Sequence, residues 1–116
     1  MKVLVCGSRN WEDYPAITER LGLLPRGTTI IHGGARGADQ MAGRVADRLG
    51  LNVVEFLPEW NGRSGYNRRA GLERNIVMLD ENPDLVIAFW RDGSTGTGHT
   101  ISEARKRGIP VEEVRA

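Results

Sequence analysis

Short apolar runs rich in β-branched residues alternate along this chain with stretches in which apolar side chains return every three or four positions. The runs at residues 2–6, 28–32, 52–57 and 84–89, with a weaker one at 110–114, predict five strands. The stretches at residues 14–24, 38–49, 68–79 and 99–107 have helical spacing. Two helix ends are marked by chemistry as well as by period. Gly50 follows Leu49, and Gly108 follows Arg107 with Pro110 just beyond, so that Gly lets the backbone turn and Pro keeps the helix from resuming. Strands that alternate with helices imply a parallel sheet, because parallel neighbours need crossover connections, and these are right-handed. The expected fold is α/β: one Rossmann-like three-layer domain over residues 1–116, a five-stranded parallel sheet with helices on both faces. Residues 58–67, with Gly62, Ser64 and Gly65, are the least regular stretch and are expected to form a loop over one edge of a site.

Composition narrows the function classes. A length of 116 residues gives room for one core and is too short for two. Sixteen Lys and Arg against 15 Asp and Glu leave a net charge of +1, so no overall field draws the protein onto nucleic acid or an anionic membrane. Cationic chemistry must then be local. The one cysteine, Cys6, has no internal disulfide partner and falls in an apolar run, where it suits a small buried hydrophobe. The first apolar stretch is too short for a signal peptide and no segment has the length to span a bilayer, so the cytoplasm is the expected compartment. Fifteen glycines without a repeat must serve particular backbone positions.

Those positions are informative. In an open parallel sheet, ligands bind beyond the carboxyl ends of the strands, where helix N-termini offer backbone N–H groups and positive dipole to anions. After the first predicted strand comes Gly7-Ser8-Arg9; after the second, His32-Gly33-Gly34-Ala35-Arg36-Gly37-Ala38-Asp39; after the fourth, Gly93-Ser94-Thr95-Gly96-Thr97-Gly98-His99-Thr100. Glycine lets successive N–H groups converge on a phosphate oxygen, and the Ser and Thr hydroxyls add donors. Arg9, Arg36 and Arg74 stand beside these turns or at a helix start, with a planar fork suited to phosphate, and Arg74 ranks first among them. Asp39 either accepts from ribose hydroxyls or is an acid favoured by the helix dipole. Glu103 is the carboxylate nearest the Ser/Thr turn within the last predicted helix. Trp11, Trp60 and Trp90 all follow strands and are candidates for stacking on a base, against rim packing as the plainer role. His32 and His99 suit hydrogen bonding or proton transfer. Arg63, Arg68 and Arg69 read as a solvated loop that, with Tyr66, would also suit a nucleic-acid backbone. The single Cys and scattered His show no metal-ligand spacing, and no metal or cofactor is expected.

At these same residues, across essentially the whole chain, the sequence resembles the SLOG superfamily (named for Smf/DprA and the LOG, Lonely Guy, proteins) and most closely its small stand-alone YspA-like branch, found in bacteria and phages. Gly7-Ser8-Arg9 is similar to the family's first-strand GSR element, the stretch from His32 to Asp39 resembles the DprA-type SGLARGID segment, and Arg74-Asn75 matches the RN that opens a helix. The LOG enzymes are phosphoribohydrolases that release a base from a nucleoside monophosphate, with a PGGxGTxxE turn on the phosphate and a Glu and an Arg at the glycosidic bond. Setting Gly96-Thr97 on that motif's GT puts Thr100 where its Glu belongs. Glycosidic cleavage passes through an oxocarbenium-like state that a carboxylate stabilises and a threonine does not.

The resemblance therefore implies non-catalytic binding, as sensor or sink, of a nucleotide or an NAD- or ADP-ribose-derived signal, of the kind the superfamily recognises in bacterial defence. Gly93, Ser94, Thr95, Gly96, Thr97 and Arg74 would hold phosphate, and Gly33, Gly34, Arg36, Gly37 and Asp39 ribose or a second phosphate. The rivals are a phosphoribohydrolase using Arg74 and Glu103, and a DprA-like single-strand DNA module. LOG-type relatives pair as dimers, which implies a homo-oligomer.

Overall fold

The computed structural model describes residues 1–58, 61, 62, 65, 66, 69–91 and 94–116; of 61, 62, 65 and 66 it describes the backbone. In chain order the elements are β1 (Lys2–Gly7), α1 (Tyr14–Leu21), β2 (Thr29–His32), α2 (Ala38–Arg48), β3 (Asn52–Glu55), β4 (Asn61–Gly62), β5 (Gly65–Tyr66), α3 (Ala70–Asp80), β6 (Leu85–Trp90), α4 (Thr95–Lys106) and β7 (Val111–Arg115). Five strands form one parallel sheet in the order β3-β2-β1-β6-β7.

β1 is central, and each of its residues from Val3 to Gly7 is buried. Side chains alternate across a strand. Val3 and Val5 therefore join Ile30, Ile87 and Phe89 on one face, covered by Ile17 and Leu21 of α1 and Ala42, Val45 and Ala46 of α2. Leu4 and Cys6 join Ile31, Val86 and Ala88 on the other, covered by Met78 and Leu79 of α3 and Ile101 and Ala104 of α4. Burial on both faces is why these strands read as unbroken apolar runs. Arg20 of α1 grips Glu112 of β7 with a two-toothed guanidinium–carboxylate contact, its Nη2 donating at 3.1 Å.

The chain winds from β1 out to β3, returns, and winds the other way from β6 to β7. The strand order reverses between β1 and β6, and at such a point neighbouring connections diverge and leave a crevice.

Two expectations need correction. Residues 58–67 contain a small antiparallel hairpin, with β4 paired to β5 through Asn61–Tyr66 and Gly62–Gly65. The last helix begins at Thr95, four residues ahead of the expected start, because Ser94 caps it: the Ser94 Oγ accepts from the Thr97 N–H at 3.3 Å.

Candidate functional site

Three turns meet at the crevice. Ser8, buried, ties them together: its N–H donates to the Phe89 carbonyl at 3.0 Å, its carbonyl accepts from Trp11 and Ala38 N–H groups at 3.2 Å each, and its Oγ accepts from the Arg91 N–H at 2.8 Å. Gly37 has φ +77°, and a Cβ there would lie 2.4 Å from the Ser8 carbonyl oxygen and 2.5 Å from that of Arg9. Only glycine allows the β1 and β2 turns to touch in this way. From the start of α2 the Asp39 side chain reaches back, its Oδ2 accepting from the N–H groups of Gly33 at 3.1 Å and Ala35 at 3.4 Å.

The N-terminus of α4 forms the opposite wall. A helix's first N–H groups have no partner within the helix. Ser94 satisfies that of Thr97, while those of Thr95 and Gly96 have no acceptor among the described residues. Ser94 and Thr97 also share a hydroxyl–hydroxyl bond of 2.8 Å, and the Thr100 Oγ1 donates back to the Gly96 carbonyl at 3.2 Å.

Between these walls lies a cleft of about 400 Å³ whose lining includes Gly7, Ser8, Arg9, Asp39, Arg74, Asn75 and Ser94 through Thr97. Arg74, on α3, donates through Nη1 to the Gly33 carbonyl and through Nε to Asn75 Oδ1 at 3.0 Å. A Cβ on Gly33 would come within 2.5 Å of that Nη1, so glycine here makes room for the guanidinium. Asn75 in turn donates to the Gly96 carbonyl at 3.4 Å, joining α3 to α4.

Burial pushes the Asp39 carboxyl up to about 6, even though Arg74, the Ala35 and Gly33 N–H groups and Arg9 all favour its charged form. Burial lowers the Arg74 guanidinium from its ordinary value, opposed by Asp39 and assisted by Arg9. Cys6 is at the cleft floor, its thiol pushed far up by burial and then by the Asp39 charge.

The structure thus gathers Gly7, Ser8, Arg9, Asp39, Arg74, Asn75, Ser94, Thr95, Gly96, Thr97 and Thr100 around one cleft. Gly33, Gly34 and Arg36 line an adjoining recess. His99 stands behind the wall, with Nδ1 3.4 Å from Asn75 Nδ2. His32 is buried, and its Nδ1 accepts from the Gly34 N–H at 3.0 Å, a turn-bracing role. Trp60, Gly93, Arg63, Arg68 and the Tyr66 side chain lie outside the described residues.

Three candidates are displaced. Trp11 is 2% exposed, packs on Phe89 at 5.5 Å between ring centroids and donates to the Asp13 carbonyl at 3.0 Å, so it is core and not a stacking surface. Trp90 lies under the Arg115 guanidinium at 4.4 Å, in a groove with Ile101 and Arg105 apart from the cleft. Glu103 is one turn too deep in α4: it pairs with Lys106 at 3.3 Å and is absent from the cleft lining. Among the described residues, the carboxylate that lines the cleft is instead Asp39. Asn10, Ala35, Cys6 and Met78 also line it. Asn10 directly follows the Gly7-Ser8-Arg9 turn, which was the available signal, whereas Met78 is one more apolar position on an amphipathic helix.

Residues 1–62 match the model of the YspA, cpYpsA-related SLOG family. Over 95% of its length the chain is 40% identical to Gene 61 protein of Mycobacterium phage D29, covering 93% of that relative. This chain belongs to that SLOG family. Among solved structures it is similar to DNA processing protein A (DprA) from Streptococcus pneumoniae, with a TM-score of 0.80 at 20% identity, covering 97% of this chain. The SLOG chain spans about half of DprA, 49% of its length. It is also similar to TM1055, a structural-genomics target, with a TM-score of 0.69 at 25% identity over 95% of this chain and 71% of that one.

Proposed function

We propose that the cleft binds the phosphate and ribose of a nucleotide-like ligand and leaves the ligand intact. The observation that carries this reading is the pairing of α4's capped N-terminus with Arg74 across the crevice at the strand-order reversal. Unpartnered N–H groups, hydroxyls and a guanidinium fixed by the Gly33 carbonyl form a preset anion site, with Asp39 within the same cleft to accept from sugar hydroxyls. The volume of about 400 Å³ suits a nucleotide, since small-molecule sites run from roughly 300 Å³ upward.

Among the described residues, the side chains nearest the α4 turn disfavour hydrolysis. Thr100 spends its hydroxyl on Gly96, Glu103 is tied to Lys106, and Asp39 is braced by two backbone N–H groups. The role is then to sense or sequester a nucleotide or NAD- or ADP-ribose-derived signal. The phage origin of the 40% identical relative favours a setting of conflict between phage and host. By family resemblance the acting form is a homo-oligomer, which light scattering measures.

Incubation with AMP followed by chromatography tests the reading: AMP returns intact, and Arg74→Ala weakens its binding by about tenfold or more, a charge-assisted bidentate contact being worth ~1.5–3 kcal/mol. Release of free adenine by the wild type but not by Asp39→Asn would overturn it in favour of a phosphoribohydrolase. A salt-sensitive gel shift with single-stranded DNA, unaffected by AMP, would favour the nucleic-acid reading instead.

A further inference from the structure

The glycine turn after β2 has its backbone donors already engaged. The Gly33 and Ala35 N–H groups both donate to Asp39 Oδ2, at 3.1 and 3.4 Å, and the N–H of Gly34 between them donates to His32 Nδ1 at 3.0 Å. Three successive N–H groups that could converge on a phosphate are thus held by two side chains of the protein itself. Carbonyl oxygens are what the turn presents in their place. That of Gly33 accepts from Arg74 Nη1, and that of Gly34 from Gln40 Nε2 at 3.1 Å. A turn of this kind holds a cation, and the cation it holds is the arginine that lines the cleft.

A pair of glycines has no side chains to limit its backbone, and Gly34 has φ +72°, so the shape of the turn depends on those three bonds. Asp39 supplies two acceptors and His32 the third. The His32 ring is buried, and Gly43 of α2 makes room for it: a Cβ there would lie 2.7 Å from Nε2. A nitrogen that accepts carries no proton, so the neutral ring has its proton on Nε2, 3.8 Å from Glu55 Oε2. Burial favours that neutral ring, lowering His32 from its ordinary value; Glu55 opposes the effect and Arg74 assists it.

Building on the reading of the cleft as an anion site, we propose that His32 is a positioning residue: its Nδ1 fixes the Gly34 N–H, which sets the Gly33 carbonyl against Arg74 and so orients the guanidinium before the ligand's phosphate arrives. An arginine oriented in advance loses less freedom on binding.

NMR of the ligand-free protein, followed by calorimetry with AMP at neutral pH, tests this. In the wild type the His32 ring is the Nε2–H tautomer, with a through-bond coupling between the Gly34 nitrogen and Nδ1. An Asn at this position offers its amide oxygen where Nδ1 stands and accepts the N–H two residues on, whereas a Gln amide reaches to the place of Nε2. His32→Asn therefore keeps the Arg74 Nε–H resonance and binds AMP within about twofold of the wild type, while in His32→Gln that resonance moves and AMP binds about fivefold or more weakly. An Nδ1–H tautomer in the wild type would overturn the proposal, as would an Arg74 resonance or an AMP affinity unchanged in His32→Gln. Equal losses in the two variants at matched melting midpoints would overturn it as well. If AMP binds none of the three proteins, the nucleotide reading falls, and the ligand-free resonances still decide whether His32 positions Arg74. If neither variant folds, the wild-type tautomer and coupling decide it.

Discussion

Asp39 is 6% exposed and its carboxyl is pushed up to about 6, above the 3.8 of the free side chain. The folded protein therefore holds the Asp39 proton more tightly than the unfolded chain does. Between these two values the native state binds the extra proton, so the stability linked to this group is present at low pH and is lost as pH rises through about 6. The full swing is about 3 kcal/mol at most. Denaturant midpoints between pH 4 and 7 should fall with rising pH by an amount that Asp39→Asn abolishes; the same slope in the variant would show that other groups cause it. Cys6, 6% exposed with a raised thiol, should resist iodoacetamide in the native protein and react once it is unfolded. Rapid native alkylation, followed by mass spectrometry, would contradict its place beneath the cleft. At this scale the sequence was partly legible. Arg74 stands out in the sequence as an arginine expected at a helix start, whereas it lies inside α3, and the sharing of its Nη1 with the Gly33 carbonyl joins residues 41 apart and depends on tertiary packing. Trp11 follows a strand at the ligand edge, yet the turn folds its ring under α1 onto Phe89. No local pattern distinguishes those outcomes.

At the scale of elements, two termini make the site, and each has a variant that isolates it. Ser94→Ala removes the α4 cap, at a cost of about 1 kcal/mol in stability. It should also weaken phosphate binding, because the first helical turn frays; calorimetry of the variant measures this, and undiminished affinity would separate the cap from the ligand. Gly37→Ala forces a positive φ on alanine and a methyl into two carbonyl oxygens, which should cost about 2 kcal/mol or more in denaturant unfolding. Gly50 has φ +75° with nothing within 4 Å, so Gly50→Ala should cost only about 1 kcal/mol. The same contrast explains which boundaries were readable. α2 carries a clean helical period and β1 an unbroken apolar run, both set by the core, and their limits fall within a residue or two of expectation. The start of α4 was hidden because Gly96 and Gly98 are poor helix formers. Capping by Ser94 and packing of Ile101 and Ala104 on the sheet outweigh that cost.

For the whole molecule, alternation of apolar runs with amphipathic stretches was enough for a parallel sheet, and the glycine turns at strand ends pointed to the sheet edge at which the cleft lies. The strand order β3-β2-β1-β6-β7 was not legible residue by residue, because it is decided by which strands β1 pairs with, a matter of long-range packing. That order locates the crevice between β1 and β6 and explains why Glu103, near in sequence to the Ser/Thr turn, is outside it while Asp39, far along the chain, is inside. A nucleotide-like ligand held in this crevice stabilises the native state. The most direct measurement is a thermal-shift titration with AMP and ADP-ribose on the wild type and on Arg74→Ala. A ligand at a hundredfold excess over its dissociation constant adds about 2.7 kcal/mol to the native state, so the wild-type midpoint should rise by several degrees and the variant's should rise far less. Equal shifts in the two proteins, or none in either up to millimolar ligand, would contradict the account.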